Sequence, residues 1–338
     1  VKLYEFKASH NQLSTYPGHF YKLRSLRILD MSFNPFETIP IETGNLELLK
    51  ELNQWDVGVG VLTALTSLDF SHCLLSEWPP QLEQLDRLTS LNLSFNTIEV
   101  VPDMLNTLTT LKTLDLSNNR IHSITSEIYN KSIVVLLLQN NEIVHLPECK
   151  EPQHVMSMLS EINISHNKLL ILDHKLSIFA RAERFDASHN NIALLAENIS
   201  SMKQVKYLDL SHNELQDIPA GLSSCVKLNY VDLSYNKLTI VPLALTGTNR
   251  VVDLNLSNNE IVDVSGKVFG LMADLQRLQM QHNKVTVLPP LFYSLRKLEL
   301  LDLSYNKLKQ LEDIVSQMKS LKLCFLQSNK LKLIPATL

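Results

Sequence analysis

An asparagine returns along this 338-residue chain at a near-fixed interval, each time inside the frame LxxLxLxxNxL. The positions are Asn11, Asn34, Asn96, Asn119, Asn141, Asn167, Asn190, Asn213, Asn236, Asn259, Asn283, Asn306 and Asn329, with Cys73 standing in the slot between Asn34 and Asn96. The commonest step is 23 residues, as from Asn190 to Asn213 and from Asn213 to Asn236. Such a period means that each copy is one structural unit, which cannot bury its apolar face alone and must stack on its neighbours. In the copy Val205 to Leu215, Leu208 and Leu210 alternate with Tyr207, Asp209 and Ser211. That alternation predicts a short strand with one face buried and one exposed. Stacked copies then predict a parallel sheet with about 4.8 Å between strands. The amide of Asn213 carries donors and an acceptor for the turn's backbone groups inside the stack. Cys73 suits the same slot because a thiol is small, tolerates burial and donates weakly. The second half of each copy carries Ile-Pro or Val-Pro, as at Pro219 and Pro242, with Pro102, Pro147, Pro289 and Pro335 in the same place. Proline fits an extended outer segment that joins no ladder.

The chain's length alone suggests two or more domains. The repeat overrides that expectation and predicts one α/β solenoid over residues 1–338, with about fourteen repeats and irregular stretches at 49–61 and 147–158. The first stretch starts like a repeat at Leu49 and loses its ladder asparagine, and Gly58 and Gly60 make it flexible. It reads equally as a decayed repeat or as a loop that carries binding. The segment Ser265 to Met272 reads as more helical than the Ile-Pro copies. Neither end shows the polar face of a capping repeat, so we expect a fragment of a larger protein with further domains of its own.

With 31 Lys and Arg against 35 Asp and Glu, the chain has no basic stripe that would indicate nucleic acid. The longest clean apolar run, Ile133 to Leu138, is far too short for a membrane span. Cys73, Cys149, Cys225 and Cys324 form no end-cap framework, and free thiols favour a reducing compartment, hence a cytoplasmic location. Sequons stand at Asn92, Asn130, Asn163, Asn198 and Asn255. Three of them fall in the strand motif by accident of its wording. Asn130 and Asn198 are expected on the outer side, where a glycan would favour the alternative extracellular location.

The frame sorts the exposed strand face into columns. The central one contains Asp186, Asp209 and Asp232 in a mostly acidic stripe, whose stacked charges repel. The alternative is that Leu-Asp-Leu-Ser is simply a common way to write this strand. The next column is mainly serine and reads as small polar filler. The column before the ladder asparagine contains His166, His189 and His212. These read as stacked, half-buried rings; a pH response remains open, whereas spacing alone makes no coordination shell. The most variable column runs Arg184, Tyr207, Tyr230, Asp253, Arg277. Tyr and Arg are enriched at binding hot spots, so Arg184, Asp186, Tyr207, Asp209, Tyr230, Asp232, Asp253 and Arg277 are the expected partner site. The alternative is a solvated face. Val135 and Leu137, and again Leu300, Leu323 and Phe325, put apolar side chains where polar ones are usual, forming a secondary contact patch. For Leu300, Leu323 and Phe325 the expected contact is a cap or a next domain.

No phosphate loop, CxxC pair or nucleophile elbow occurs, and no catalytic, metal or cofactor residue is expected. The trio Asp209, Ser211 and His212 recurs in other repeats as part of the frame, so it marks no active site.

The frame LxxLxLxxNxLxxIPxxLxxLxx, as in Leu228 to Leu245, resembles the intracellular leucine-rich repeats of the Ras-group and Scribble-like type. It is similar as well to the arrays of PH-domain leucine-rich repeat phosphatases. The resemblance covers nearly the whole chain. It implies a right-handed horseshoe with its parallel sheet on the concave side and a protein partner such as a small GTPase, phosphatase or kinase. It carries over no binding residue by position, because one frame serves many binders. We therefore expect a protein–protein interaction scaffold or targeting region, not an enzyme. The alternatives are an extracellular receptor or adhesion ectodomain, and the regulatory array of an enzyme whose catalytic domain lies outside this chain.

Overall fold

The structure, a computed structural model, describes residues 2–14, 19–32, 34, 46, 48–53, 62–149 and 155–335. The fold is a leucine-rich repeat solenoid whose chain forms two compact units, the first of Val1–Pro152 with Met156–Ile162, the second of Gln153–Val155 with Asn163–Leu338. In the first unit the strands Glu5–Lys7, Ile28–Asp30, Glu51–Asn53, Ser67–Asp69, Ser90–Asn92, Thr113–Asp115 and Val135–Leu137 follow one another in a parallel sheet. In the second the strands are Arg184–Asp186, Tyr207–Asp209, Tyr230–Asp232, Asp253–Asn255, Arg277–Gln279, Leu300–Asp302 and Leu323–Phe325, parallel and in sequence order. A further strand, Glu161–Asn163, lies where the two units meet in sequence. Register is strict: Tyr207 lies beside Tyr230 and Asp209 beside Asp232, so sequence columns are spatial columns.

The described residues thus hold fifteen such strands, one more than the ladder positions suggest. The extra strand is Glu51–Asn53, which pairs Glu51 with Ile28 on one side and with Ser67 on the other. The stretch from Leu49 therefore begins as a repeat, with Leu49 and Leu52 buried. Its remainder, residues 54–61, lies outside the described residues, as do 150–154 within the second irregular stretch.

Each turn is closed by its asparagine. Asn213 donates from Nδ2 to the carbonyls of Leu210 and Ser211 in its own turn and to Ala187 one turn back, at 3.0–3.1 Å. Its Oδ1 accepts the backbone N–H of Ile192 at 3.0 Å. Asn96, Asn119, Asn190, Asn236, Asn259 and Asn306 repeat the pattern. Cys73 keeps one bond of this kind, donating its thiol to the Ser71 carbonyl at 3.4 Å.

Leucine slots fill the interior: Leu208, Leu210, Leu215, Leu222 and Leu228 are fully buried. Cys225 occupies one such slot, its thiol donating to the Ile199 carbonyl and its pKa pushed up to about 11 by burial. On the outer side most turns are single 3-10 turns, such as Ala220–Ser224 after Pro219 and Leu243–Gly247 after Pro242. The Ser265–Met272 region instead forms an α-helix, Gly266–Leu271, as its sequence suggests. Two glycines let the outer turns approach closely. A Cβ on Gly221 would lie 2.3 Å from the Glu197 carbonyl oxygen, and one on Gly247 2.2 Å from that of Ser223.

Candidate partner-binding face

The exposed strand face of the second unit is built from four columns whose spacing follows from the register. In the first, the Tyr207 and Tyr230 rings stack face to face, centroids 4.4 Å apart and 1° from parallel. The Arg184 guanidinium lies over the other face of Tyr207, 3.5 Å from its centroid. Cation–π contact of this kind contributes about 0.5–1 kcal/mol at exposed sites and holds the ring in place. Next along the column, Arg277 Nε donates to Asp253 Oδ2 at 2.7 Å. Arg184, Tyr207 and Tyr230 are therefore engaged as one stack, and Asp253 with Arg277 as an ion pair.

The aspartates of the second column differ from the sequence expectation of an exposed stripe. Asp186 and Asp232 are buried, with 9% and 8% of their surface accessible, and Asp209 is half-buried. The reason is the serine column. Asp209 Oδ1 accepts the backbone N–H of Ser211, and Asp186 and Asp232 each accept both the N–H and the hydroxyl of Ser188 and Ser234. Those serines are hydrogen-bond donors that close the strand's end, not filler. The remaining oxygens face the tyrosines: the Tyr207 hydroxyl donates to Asp209 Oδ2 and the Tyr230 hydroxyl to Asp232 Oδ2, both at 3.2 Å. Asn255 Nδ2 also donates to Asp232 Oδ2. Burial, with the Asp232 and Asp186 carboxylates on either side, holds the Asp209 carboxyl above its ordinary pKa despite the Ser211 bonds. Burial and neighbouring carboxylates likewise raise both tyrosine hydroxyls.

The fourth column carries a feature that residue type hides. His166, His189, His212, Tyr235, Asn258, His282 and Tyr305 all have φ between 51° and 56°, the left-handed region that ordinarily favours glycine or asparagine. Held there, their rings stack: His166 on His189, His189 on His212 and His212 on Tyr235, each with centroids 4.0 Å apart. The rings stack as the sequence suggests, but of the four only His212 is half-buried; His166, His189 and Tyr235 are exposed. The one sequence signal for the left-handed turn was Asn at positions 118, 140 and 258 of the same column. Burial and its two flanking imidazoles lower the pKa of His189, against the pull of Asp186. Among the described residues no group of three or more His, Cys, Asp or Glu is placed to hold a metal ion.

The secondary patch divides. Val135 and Leu137 are half-buried on the first unit, while Leu300 is half-buried and Leu323 and Phe325 are exposed on the second. Cys324, in a leucine slot by sequence, is exposed, because all of strand Leu323–Phe325 is exposed. Asn130, one of the two sequons expected on the outer side, donates to the Leu108 carbonyl and accepts the backbone N–H and hydroxyl of Ser132. No described helix is long and apolar enough to cross a membrane.

Comparison with known proteins agrees with this geometry. The leucine-rich repeat model matches residues 63–121, 188–238 and 249–308, and a second leucine-rich repeat model matches residues 25–46. With half of the chain matched, this protein belongs to the leucine-rich repeat family. It is similar to a leucine-rich repeat protein of Leptospira interrogans, with 27% identity over 98% of this chain and 86% of that one and a TM-score of 0.88. YopM from Yersinia enterocolitica shares the fold at 23% identity, over all of this chain and 67% of its own, with a TM-score of 0.72. The Arabidopsis receptor kinase HAESA, solved with the peptide hormone IDA and the co-receptor SERK1, does so at 24% identity, over 98% of this chain and 58% of that one, with a TM-score of 0.71. No curated protein matches the chain. Leucine-rich repeat proteins generally mediate protein–protein interaction.

Proposed function

We propose that the chain is the scaffold or targeting region of a signalling protein, of the 23-residue Ras-group and Scribble-like type, which binds its partner on the strand face of the second unit. A small GTPase, phosphatase or kinase is the partner class that this type suggests. The observation that carries the reading is the Arg184–Tyr207–Tyr230 stack. Aromatic and guanidinium groups supply most binding energy at protein interfaces, and rings already held in one orientation lose little entropy on docking. The free thiols, with Cys225 buried in the core, support a reducing, cytoplasmic setting.

The test is a quantitative pull-down from eukaryotic lysate with wild type and a Tyr207→Glu, Tyr230→Glu variant, both shown to be folded. The proposal expects a specific set of proteins to be lost with the variant. Recovery of the same partners by both proteins would move the interface off this strip and refute it. A glycan on Asn198, found by mass spectrometry of the protein from its native source, would favour the extracellular reading instead.

A further inference from the structure

The turns closed by Asn283, Asn306 and Asn329 carry a charge opposite to that of the whole chain. From Lys284 to Lys332 there are nine Lys and Arg against four Asp and Glu, although the chain as a whole is net −4. Lys284, Lys307 and Lys330 stand directly after the three ladder asparagines, and Lys309 and Lys332 stand two residues after Lys307 and Lys330. The backbone fixes their spacing. The N–H of Lys284 donates to the Ile261 carbonyl, that of Lys307 to Val285 and that of Lys330 to Leu308, at 2.8–2.9 Å, so each lysine lies one turn along from the last. Lys307 and Lys309 flank the buried Leu308, and Lys330 and Lys332 flank Leu331; all four lysines are exposed. They form two rows of two on a flank beyond the strand face, about 4.8 Å from turn to turn.

The frame does not require this arrangement. In the slot of Lys307 and Lys330 the preceding copies alternate in sign as Glu214, Lys237, Glu260 and Lys284. Lys237 Nζ pairs with Glu214 Oε2 at 3.1 Å, and Lys284 Nζ with Glu260 Oε2 at 2.7 Å. There the alternation stops. In the slot of Lys309 and Lys332 the preceding copies carry the uncharged Gln216, Thr239, Val262 and Thr286. Among the described residues, Lys307, Lys309, Lys330 and Lys332 form no ion pair with a carboxylate. Glu312, the nearest carboxylate to Lys309 in sequence, accepts the Gln310 amide instead, at 3.0 Å. Like charges side by side are destabilising, so the fold gains nothing from the four together.

We propose that this flank docks on a membrane surface that contains anionic lipid. Residue type selects that occupant. All four cations are lysines, compact charges on flexible stems, which suit a diffuse array of headgroups rather than the fixed bidentate geometry that favours arginine. Lysine is depleted at protein–protein interfaces, where arginine and aromatic residues are enriched, and here those residues stack on the strand face instead. Clusters of about four to eight lysines or arginines are of the size that anionic leaflets attract. Leu333, beside Lys332, and Val287, two turns back in the same slot, are exposed aliphatic side chains that gain by leaving water at the headgroup boundary. The flank is separate from the strand face, so the proposal stands whether or not that face is the interface.

The test is flotation of the folded chain with vesicles of phosphatidylcholine alone and of phosphatidylcholine mixed with phosphatidylserine. The chain should bind the mixed vesicles and not the neutral ones, and binding should weaken as salt is added. Lys307→Gln, Lys309→Gln, Lys330→Gln and Lys332→Gln combined should lower the affinity at least about tenfold, since each lysine at an anionic surface contributes about fivefold. Lys206→Gln with Lys237→Gln, which removes two ion-paired lysines elsewhere, should leave vesicle binding unchanged, and thermal melts check that both variants are folded. Absence of binding to the mixed vesicles, equal binding to both kinds, or a fourfold variant that binds as wild type does would overturn the proposal. An equal loss with the Lys206, Lys237 variant would overturn it as well, by assigning the effect to net charge rather than to this flank. Capture of a polyglutamate peptide that the fourfold variant loses, without vesicle binding, would put an acidic protein segment in place of the membrane.

Discussion

Replacing Asn213 by alanine tests the physical basis of the whole stack. The substitution removes three donated bonds and one accepted bond, but their consequences are unequal. The Ala187 carbonyl keeps a donor in Asn190, the Leu210 carbonyl keeps Asn236, and the Ser211 carbonyl keeps the N–H of His189. The backbone N–H of Ile192 loses its acceptor, in a residue with no accessible surface. One buried, unpaired N–H costs about 1–3 kcal/mol, with a smaller contribution from the carbonyls that are left with one donor each. We expect about 2–3 kcal/mol on that basis, read from the shift in urea midpoint at constant slope by circular dichroism. Asn213→Asp separates the parts. It keeps an acceptor for Ile192 but sets a carboxylate oxygen against three carbonyls, so it should destabilise at least as much as alanine at neutral pH. A loss below about 0.5 kcal/mol for alanine, within the range of ordinary surface changes, would refute the ladder as the main closure of the turn. So would a near-neutral Asn213→Asp.

Other perturbations follow from the site's geometry. Asp209→Asn should stabilise the protein at neutral pH by about 0.2–1 kcal/mol, the scale of like-charge pairs across neighbouring strands. Because the folded pKa of Asp209 is raised, wild type bears this penalty above that pKa and is relieved of it as pH falls through the carboxylate range. The two melting curves should therefore converge in acid. His189 has a lowered folded pKa, so the unfolded chain binds its proton first: stability is complete above 6.5 and declines as pH falls through the lower folded value. His189→Asn, which suits the left-handed backbone, should flatten that acid-side decline in melting temperature. Tyr207→Ala should lose about 0.5–1.5 kcal/mol of aromatic contact in the same urea assay, not a core-sized amount. Gly221→Ala should cost about 1–3 kcal/mol through a forced backbone shift against Glu197, whereas an alanine at exposed Lys203 should be close to neutral.

Much of the fold was legible because the repeat converts sequence columns into spatial columns. Once Asn213 and Asn236 are aligned, Tyr207 must lie beside Tyr230, and the structure places them so. The strand at Glu51–Asn53 was half legible: Leu49 and Leu52 keep the apolar spacing, but the ladder asparagine that usually marks a copy is missing. The backbone around the histidines was hidden because the left-handed region is associated with glycine and asparagine, while here rings occupy it and stack. The burial of Asp186 and Asp232 was hidden for a related reason. A strand pattern says which side a residue faces, but not that the serine two residues on will draw its carboxylate against the turn.

In a solenoid the frame explains nearly every residue, so function is best sought where the frame is satisfied by more than one residue and the chain holds the costlier one. The ladder asparagines fail that criterion, since their bonds close the turns. The strand aspartates meet it. At Asn255 an amide accepts the Ser257 N–H without adding charge, whereas at Asp186, Asp209 and Asp232 charges accumulate in three successive repeats and desolvation raises the middle one's pKa. Tyr207 and Tyr230 add hydroxyl donors to two of these carboxylates. If the strand face is the interface, as proposed, binding and stability should respond oppositely to Asp209→Asn: a tighter fold and a weaker complex. A variant that loses both together would show that the aspartates serve the strand rather than the partner.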